Sequence, residues 1–206
     1  MTTTFQIPLA LRVKPAKPVL QFSHGDLCHR AACWLRGRRC EPVFADVHRT
    51  NHVGSCAEHP DAIGWSSSYK HYGSIVIECK TSVSDFLADR LKYWRWFRPR
   101  TGDERIDMLY SIGLPNSRGI RRLEADGYIR SEVPSMGNFR YFLSEPGIVT
   151  SEMVRKHRPD HGLLHIRGRR IQVVIDAPKR ETVDLASEVR YLRFAIINGK
   201  CPIEDS

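Results

Sequence analysis

The chain is short of several features that would settle its class at once. None of its six cysteines forms a Cys-x-x-Cys pair, so the commonest zinc and dithiol motifs are missing. No apolar run approaches the ~20 residues needed to span a bilayer, and no membrane association is expected. The amino-terminal "MTTTFQIPLALRVKPAKPVLQF" has no basic leader, and Pro8 breaks its short apolar run. It reads as an extended arm over residues 1–22 rather than a secretory signal, and the expected location is cytoplasmic. With no such signal, the six thiols are expected to be reduced. No glycine-rich phosphate loop is present, which argues against a nucleotide-driven enzyme, and no internal repeat is apparent.

Acidic residues are also scarce relative to basic ones. Thirty-two Lys and Arg face 23 Asp and Glu, a formal charge of +9 over 206 residues, with a pI of about 9.5. That balance suits a polyanionic partner, because each phosphate neutralised by Lys or Arg releases a counterion. The charge is clumped in "WRWFRPR" (94–100), "RGIRR" (118–122) and "RGRR" (167–170). Arg95, Arg98, Arg100, Arg118, Arg121, Arg122, Arg167, Arg169 and Arg170 are therefore the expected DNA contacts, against the plainer reading of a solvated basic surface. At 41% hydrophobic and 27% charged, the composition is that of an ordinary globular domain.

Residues 24–59 hold nine of the chain's His and Cys side chains, with His48, His52, Cys56 and His59 the tidiest set for a structural zinc. No spacing there matches a standard zinc module, and Cys28 and Cys33 fall within an expected helix, so zinc is not expected.

Periodicity yields a mixed α/β chain. "DLCHRAACWLR" (26–36) places Leu27, Ala31, Trp34 and Leu35 on one helical face, with Ser23 or Asp26 as cap and a basic end. Strands are expected at 42–48, 60–65 and 74–80. A helix over 81–97 carries Val83, Phe86, Leu87, Leu91 and Trp94 and stops at Pro99. Beyond it, residues 98–138 read as an insertion, with a short helix over 117–129 and a hairpin that together resemble the recognition helix and wing of winged-helix domains. Strands at 139–145, 162–166 and 169–177 precede a last helix over 183–197, whose apolar face reads as Leu185, Val189, Leu192 and Ile196. The expected organisation is one domain over 23–198 with a tail at 199–206.

The chemistry is concentrated in "GSIVIECKTS" (73–82). The β-branched run Ile75-Val76-Ile77 reads as a buried strand, and alternation points Glu78 and Lys80 to one face and Ile75, Ile77 and Cys79 to the other. A carboxylate and an ammonium fixed side by side at a strand end form either a salt bridge or a site. Asp61, seventeen residues earlier in "HPD", brings a second acid from a neighbouring strand. Phosphodiester hydrolysis needs the scissile phosphate's charge neutralised, an attacking water and help for the leaving oxygen. Asp61 and Glu78 would hold Mg²⁺ (or Mn²⁺), with the backbone carbonyl of Cys79 as a further ligand, and Lys80 would orient or deprotonate the water. Cys79 as a nucleophile lacks a base and lies on the apolar face.

Pro60-Asp61 with Glu78-Cys79-Lys80 resembles the PD-(D/E)XK nuclease superfamily. The run "KTSVSDFLADRLKYW" is similar to its MmcB-type DNA-repair members, as is "RYFLSEPGIVTSEMV…HGLLHI…RRIQVVIDA". The resemblance covers roughly residues 26–97 and 139–180. It implies a restriction-endonuclease-like fold, a mixed central sheet flanked by helices, and a metal-dependent DNA endonuclease of repair, phage or mobile-element type. A further acid is usual in the family, and Glu41, Asp46 and Glu58 compete for it. Asp46 is preferred for its place ahead of the motif; if it is the first metal ligand, "HPD" is a decoy. The alternative is a catalytically inactive DNA-binding or partner-binding protein on the same fold. Nothing in the sequence sets the oligomeric state, and a homodimer is compatible with it.

Overall fold

In the computed structural model, the residues described are 22–46, 58–89 and 135–197, with the backbone of three short strands between the last two stretches. The long first helix, α1 (His24–Gly37), opens with a capping box: the Ser23 hydroxyl accepts from the Asp26 N–H, and the Asp26 carboxylate accepts from the Ser23 N–H. Two otherwise orphaned donors are thereby satisfied. Leu27, Cys28, Ala31, Ala32 and Leu35 line its buried face, and each leucine so buried contributes about 1.5–3 kcal/mol.

Three antiparallel strands follow, β1 (Cys40–Ala45), β2 (Ala62–Ser66) and β3 (Gly73–Cys79). β1 stops short of the expected residue 48 at Asp46, whose φ of 51° is left-handed. After the short helix α2 (Val83–Ala88), the backbone makes β4 (Trp96–Arg98), β5 (Asp107–Met108) and β6 (Ile129–Arg130), a separate three-stranded sheet in the order β5-β4-β6. The chain then returns as β7 (Phe139–Ser144), parallel to β3. The helix α3 (Ser151–His157) leads into β8 (Gly162–Arg167), which is parallel to β7, and β9 (Arg170–Ile175) closes the sheet before α4 (Leu185–Ile197). The main sheet runs β1-β2-β3-β7-β8-β9. This is an α/β fold, with β3 and β7 in its centre and a second small sheet inserted after α2.

Three expectations change. The helix expected to reach residue 97 does not, because Trp96 and Phe97 are extended and paired with β5 and β6. The 130–143 hairpin does not form: β6 pairs with β4, whereas β7 lies between β3 and β8 with every residue buried, Arg140 and Ser144 included. On α4 the buried residues are Ser187, Glu188, Tyr191 and Ala195, and Leu185, Val189 and Ile196 are exposed. The helix is turned by a polar anchor: Glu188 accepts from Ser74 Oγ (2.6 Å), Gly137 N (2.8 Å) and Trp65 Nε1 (3.1 Å). The α3 helix has no counterpart in the expected elements, although Thr150 caps it at Met153 N.

The sheet separates two cores. The α1 side gathers Leu27, Cys28, Leu35, Ile75, Ile77, Cys79 and Tyr141. The other side holds Val76 beneath α4 and Phe86, Phe142, Val154 and Leu163 beneath α2 and α3.

Candidate functional site

β3 delivers Glu78 and Lys80 to the α2 side, and both are buried, 2% and 3% exposed. Lys80 Nζ lies 3.7 Å from Glu78 Oε2, 3.2 Å from Asp89 Oδ1 and 3.7 Å from Asp85 Oδ1. On Glu78's other oxygen sits the wholly buried Arg140 of β7, Nη2 to Oε1 3.6 Å. The same guanidinium reaches Glu58 at 2.5 Å, donates to Met136 O and, through Nε, donates to His161 Nε2 at 3.1 Å. Glu58 is further held by the Met136 N–H. Asp89 also pairs with Arg158, whose guanidinium meets His161 and Asp160.

Three buried carboxylates (Glu58, Glu78, Asp89) thus face three buried cations (Lys80, Arg140, Arg158). Burial alone would weaken the charge on Arg140, but Glu58 and Glu78 more than offset it and raise its pKa. With Asp85 beside Lys80 and Asp160 beside Arg158 at the network's edge, each buried cation has at least two carboxylate partners.

Asp61 goes elsewhere. Its Oδ2 accepts from the backbone N–H of Cys79 at 2.7 Å, and its Oδ1 lies 3.3 Å from His24 Nε2 of α1. Cys28, one helical turn along, has its sulfur 3.4 Å from His24 Nδ1. The hydrogen bond to Asp61 raises the His24 pKa to about 10 against the effect of burial. Cys28 is lowered to about 7, first by a hydrogen bond from Cys79 and then by His24, with burial opposing. Cys79 itself is pushed well up by burial and by that same bond.

The expected trio is therefore divided. Glu78 and Lys80 meet as foreseen, and Asp61 reaches the strand end but is engaged on the α1 side. The Asp61 carboxylate is held by an amide and an imidazole, and the Glu78 carboxylate by two cations. Of the other candidate acids, Glu58 is inside the Arg140 network, Glu41 is exposed on β1, and Asp46 follows β1 with its N–H bonded to Asp61 O. His59 is half-buried; His48, His52 and Cys56 lie outside the described residues.

Of the expected DNA contacts, Arg167, Arg169 and Arg170 form the exposed β8–β9 turn. Arg98 is described by its backbone in β4, and Arg95, Arg100, Arg118, Arg121 and Arg122 lie outside the described residues, as do residues 1–21 of the arm and the tail. Arg169 joins Asp26, His29, Arg30, Cys33, Trp34 and Ile171 around a cleft of about 550 Å³ between α1 and the turn. Arg30 Nη1 donates to Gly168 O at 3.0 Å, and Arg38 stacks over Trp34 at 4.0 Å.

Periodicity alone did not reveal Arg140 and Arg158, because their partners come from strands and turns distant in sequence. The His24–Cys28 pair carried a readable signal, the i,i+4 spacing on one helical face.

No protein-family model matches the chain, and no curated protein does. A solved structure described as a protein of unknown function from Silicibacter pomeroyi aligns at 17% identity over 88% of this chain and 90% of that one, with a TM-score of 0.40. Among the described residues no helix is long and apolar enough to cross a membrane.

Proposed function

We propose that this chain is a nucleic-acid-binding protein on a restriction-endonuclease-like scaffold, in which the Glu78–Lys80 pair has become structural. The observation that carries the proposal is the basic cleft between α1 and the β8–β9 turn. Arg30 and Arg169 flank it, Trp34 lines it with Arg38 stacked on its ring, and Arg167 and Arg170 extend the positive rim. Guanidinium groups beside an aromatic ring suit a phosphate backbone with an adjacent base. The buried pairing of Lys80 with Glu78 and Asp89 supports binding without cleavage, since that ammonium is already engaged by carboxylates on its own side of the sheet.

The endonuclease reading keeps one observation in its favour: the Asp61 carboxylate reaches the middle residue of Glu78-Cys79-Lys80. Fluorescence anisotropy on labelled duplex and single-stranded DNA, with and without Mg²⁺, tests the two together. Binding that weakens steeply with salt, is indifferent to Mg²⁺ and leaves the DNA intact supports the proposal. Mg²⁺-dependent cleavage that disappears in a folded Lys80→Ala variant overturns it in favour of the nuclease.

A further inference from the structure

His24, Cys28 and Asp61 each turn a donor atom toward one point, and the three atoms all lie within 4.8 Å of one another. We propose that this cluster is a binding site for a zinc-class divalent transition metal, independent of the nucleic-acid reading above.

The donor set selects the metal class. An imidazole, a thiolate and a single carboxylate oxygen suit a borderline-soft ion that accepts tetrahedral geometry; Mg²⁺ and Ca²⁺ do not seek sulfur. His24 and Cys28 are four residues apart on α1, a spacing that puts both side chains on one face. The capping box at Ser23 and Asp26 fixes that first turn.

Separations agree with the chemistry. For zinc bonds of about 2.0–2.3 Å, tetrahedral angles put neighbouring donors about 3.4–3.6 Å apart. Here His24 Nε2 is 3.3 Å from Asp61 Oδ1 and 4.0 Å from Cys28 Sγ. The sulfur lies nearer Nδ1, at 3.4 Å, and the His24 side chain is 46% exposed, so its ring has room to turn and bring Nε2 to both donors.

Asp61 is oriented as a one-oxygen ligand. Its Oδ2 is occupied by the Cys79 N–H, which leaves Oδ1 aimed at the imidazole. Such outer contacts commonly orient metal-binding carboxylates. Three protein donors leave a fourth position on the solvent side, beside His24, for water or a small ligand.

The experiment uses the full chain, purified without a histidine tag from zinc-supplemented culture and dialysed against metal-free buffer. Elemental analysis is expected to find about one zinc per chain. Replacing it with Co²⁺ is expected to produce the visible bands of a tetrahedral ion together with a thiolate-to-cobalt charge-transfer band. His24→Ala and Cys28→Ser are each expected to weaken zinc binding, by competition with a chromogenic chelator, by more than the about 10- to 100-fold typical of a lost supporting contact. Cys28 is buried and its variant can fail to fold, whereas the half-exposed His24 is a safe second site, with circular dichroism checking both. Zinc well below one per chain in folded protein, a cobalt spectrum without the thiolate band, or wild-type affinity in His24→Ala overturns the proposal.

Discussion

The backbone N–H of Cys79 donates to the Asp61 carboxylate at 2.7 Å, and the other oxygen of that carboxylate lies 3.3 Å from His24 Nε2 of α1. One hydrogen bond thus divides the sequence motif. The acid from β2 serves the α1 side, and the Glu78–Lys80 pair serves a buried network beneath α2 and α3.

That network sets a stability expectation for Arg140. Arg140→Met leaves Glu58 and Glu78 buried without their shared cation, and removing one partner of a buried ion pair costs about 3–5 kcal/mol. Urea denaturation should show a correspondingly lower midpoint with an unchanged slope. An effect below about 1 kcal/mol, the range of an exposed pair, contradicts the assigned role.

Glu78 and Lys80 are expected to be coupled to each other. In a cycle of Glu78→Gln, Lys80→Met and the double variant, contact at 3.7 Å predicts non-additivity of about 0.5–3 kcal/mol. DNA affinity measured well below each variant's melting temperature should stay at the wild-type value. A selective loss of affinity in Lys80→Met would move the binding site to β3.

The cleft predicts a change in salt dependence. Arg169→Ala should weaken DNA binding about equally across sequences and reduce the slope of log K against log salt by about 0.9, one phosphate contact. The anisotropy titration repeated at several salt concentrations measures it. An unchanged slope places the phosphates elsewhere.

His161 predicts an acid limb. Burial holds its pKa well below the ordinary 6.5; Asp160 opposes this, and Arg158 and Arg140 reinforce it. The ring stays neutral in the fold, stacked on Phe142 at 4.7 Å, while the unfolded chain takes up a proton near pH 6.5. The unfolded state therefore binds more protons below that pH, and stability present above it is lost as the pH falls, by up to about 1.4 kcal/mol per pH unit. Melting temperatures across pH 4–8 should show this limb in the wild type and a flatter one in His161→Gln.

Gly162 begins β8 in close contact. A Cβ there would meet the Tyr141 ring at 2.4 Å and Ala177 N at 2.7 Å. Gly162→Ala should cost about 1–3 kcal/mol, the usual range for overpacking, by thermal or urea denaturation. A neutral change would show that the β7–β8 pair can spread.

Much of the fold is legible in local residue order. Ile75-Val76-Ile77 can only be a buried strand, and the Leu27, Ala31, Leu35 spacing with Ser23 and Asp26 ahead of it specifies a capped helix; both signals act over a few residues. Periodicity identifies α4 as a helix but not which face it buries, since its orientation is decided by Glu188 reaching Ser74, 114 residues away. The same holds for the site. Alternation correctly paired Glu78 with Lys80, but no local rule shows Arg140, Glu58 and Asp89 surrounding them.

The order of residues by itself determined that this is a basic α/β chain with Glu78 and Lys80 side by side at a buried strand end, because periodicity and alternation are short-range geometry. Tertiary structure alone decided what surrounds those charges. Packing removes water, and a buried charge must then be matched by whichever cation or amide the fold brings within about 4 Å, wherever it lies in the chain.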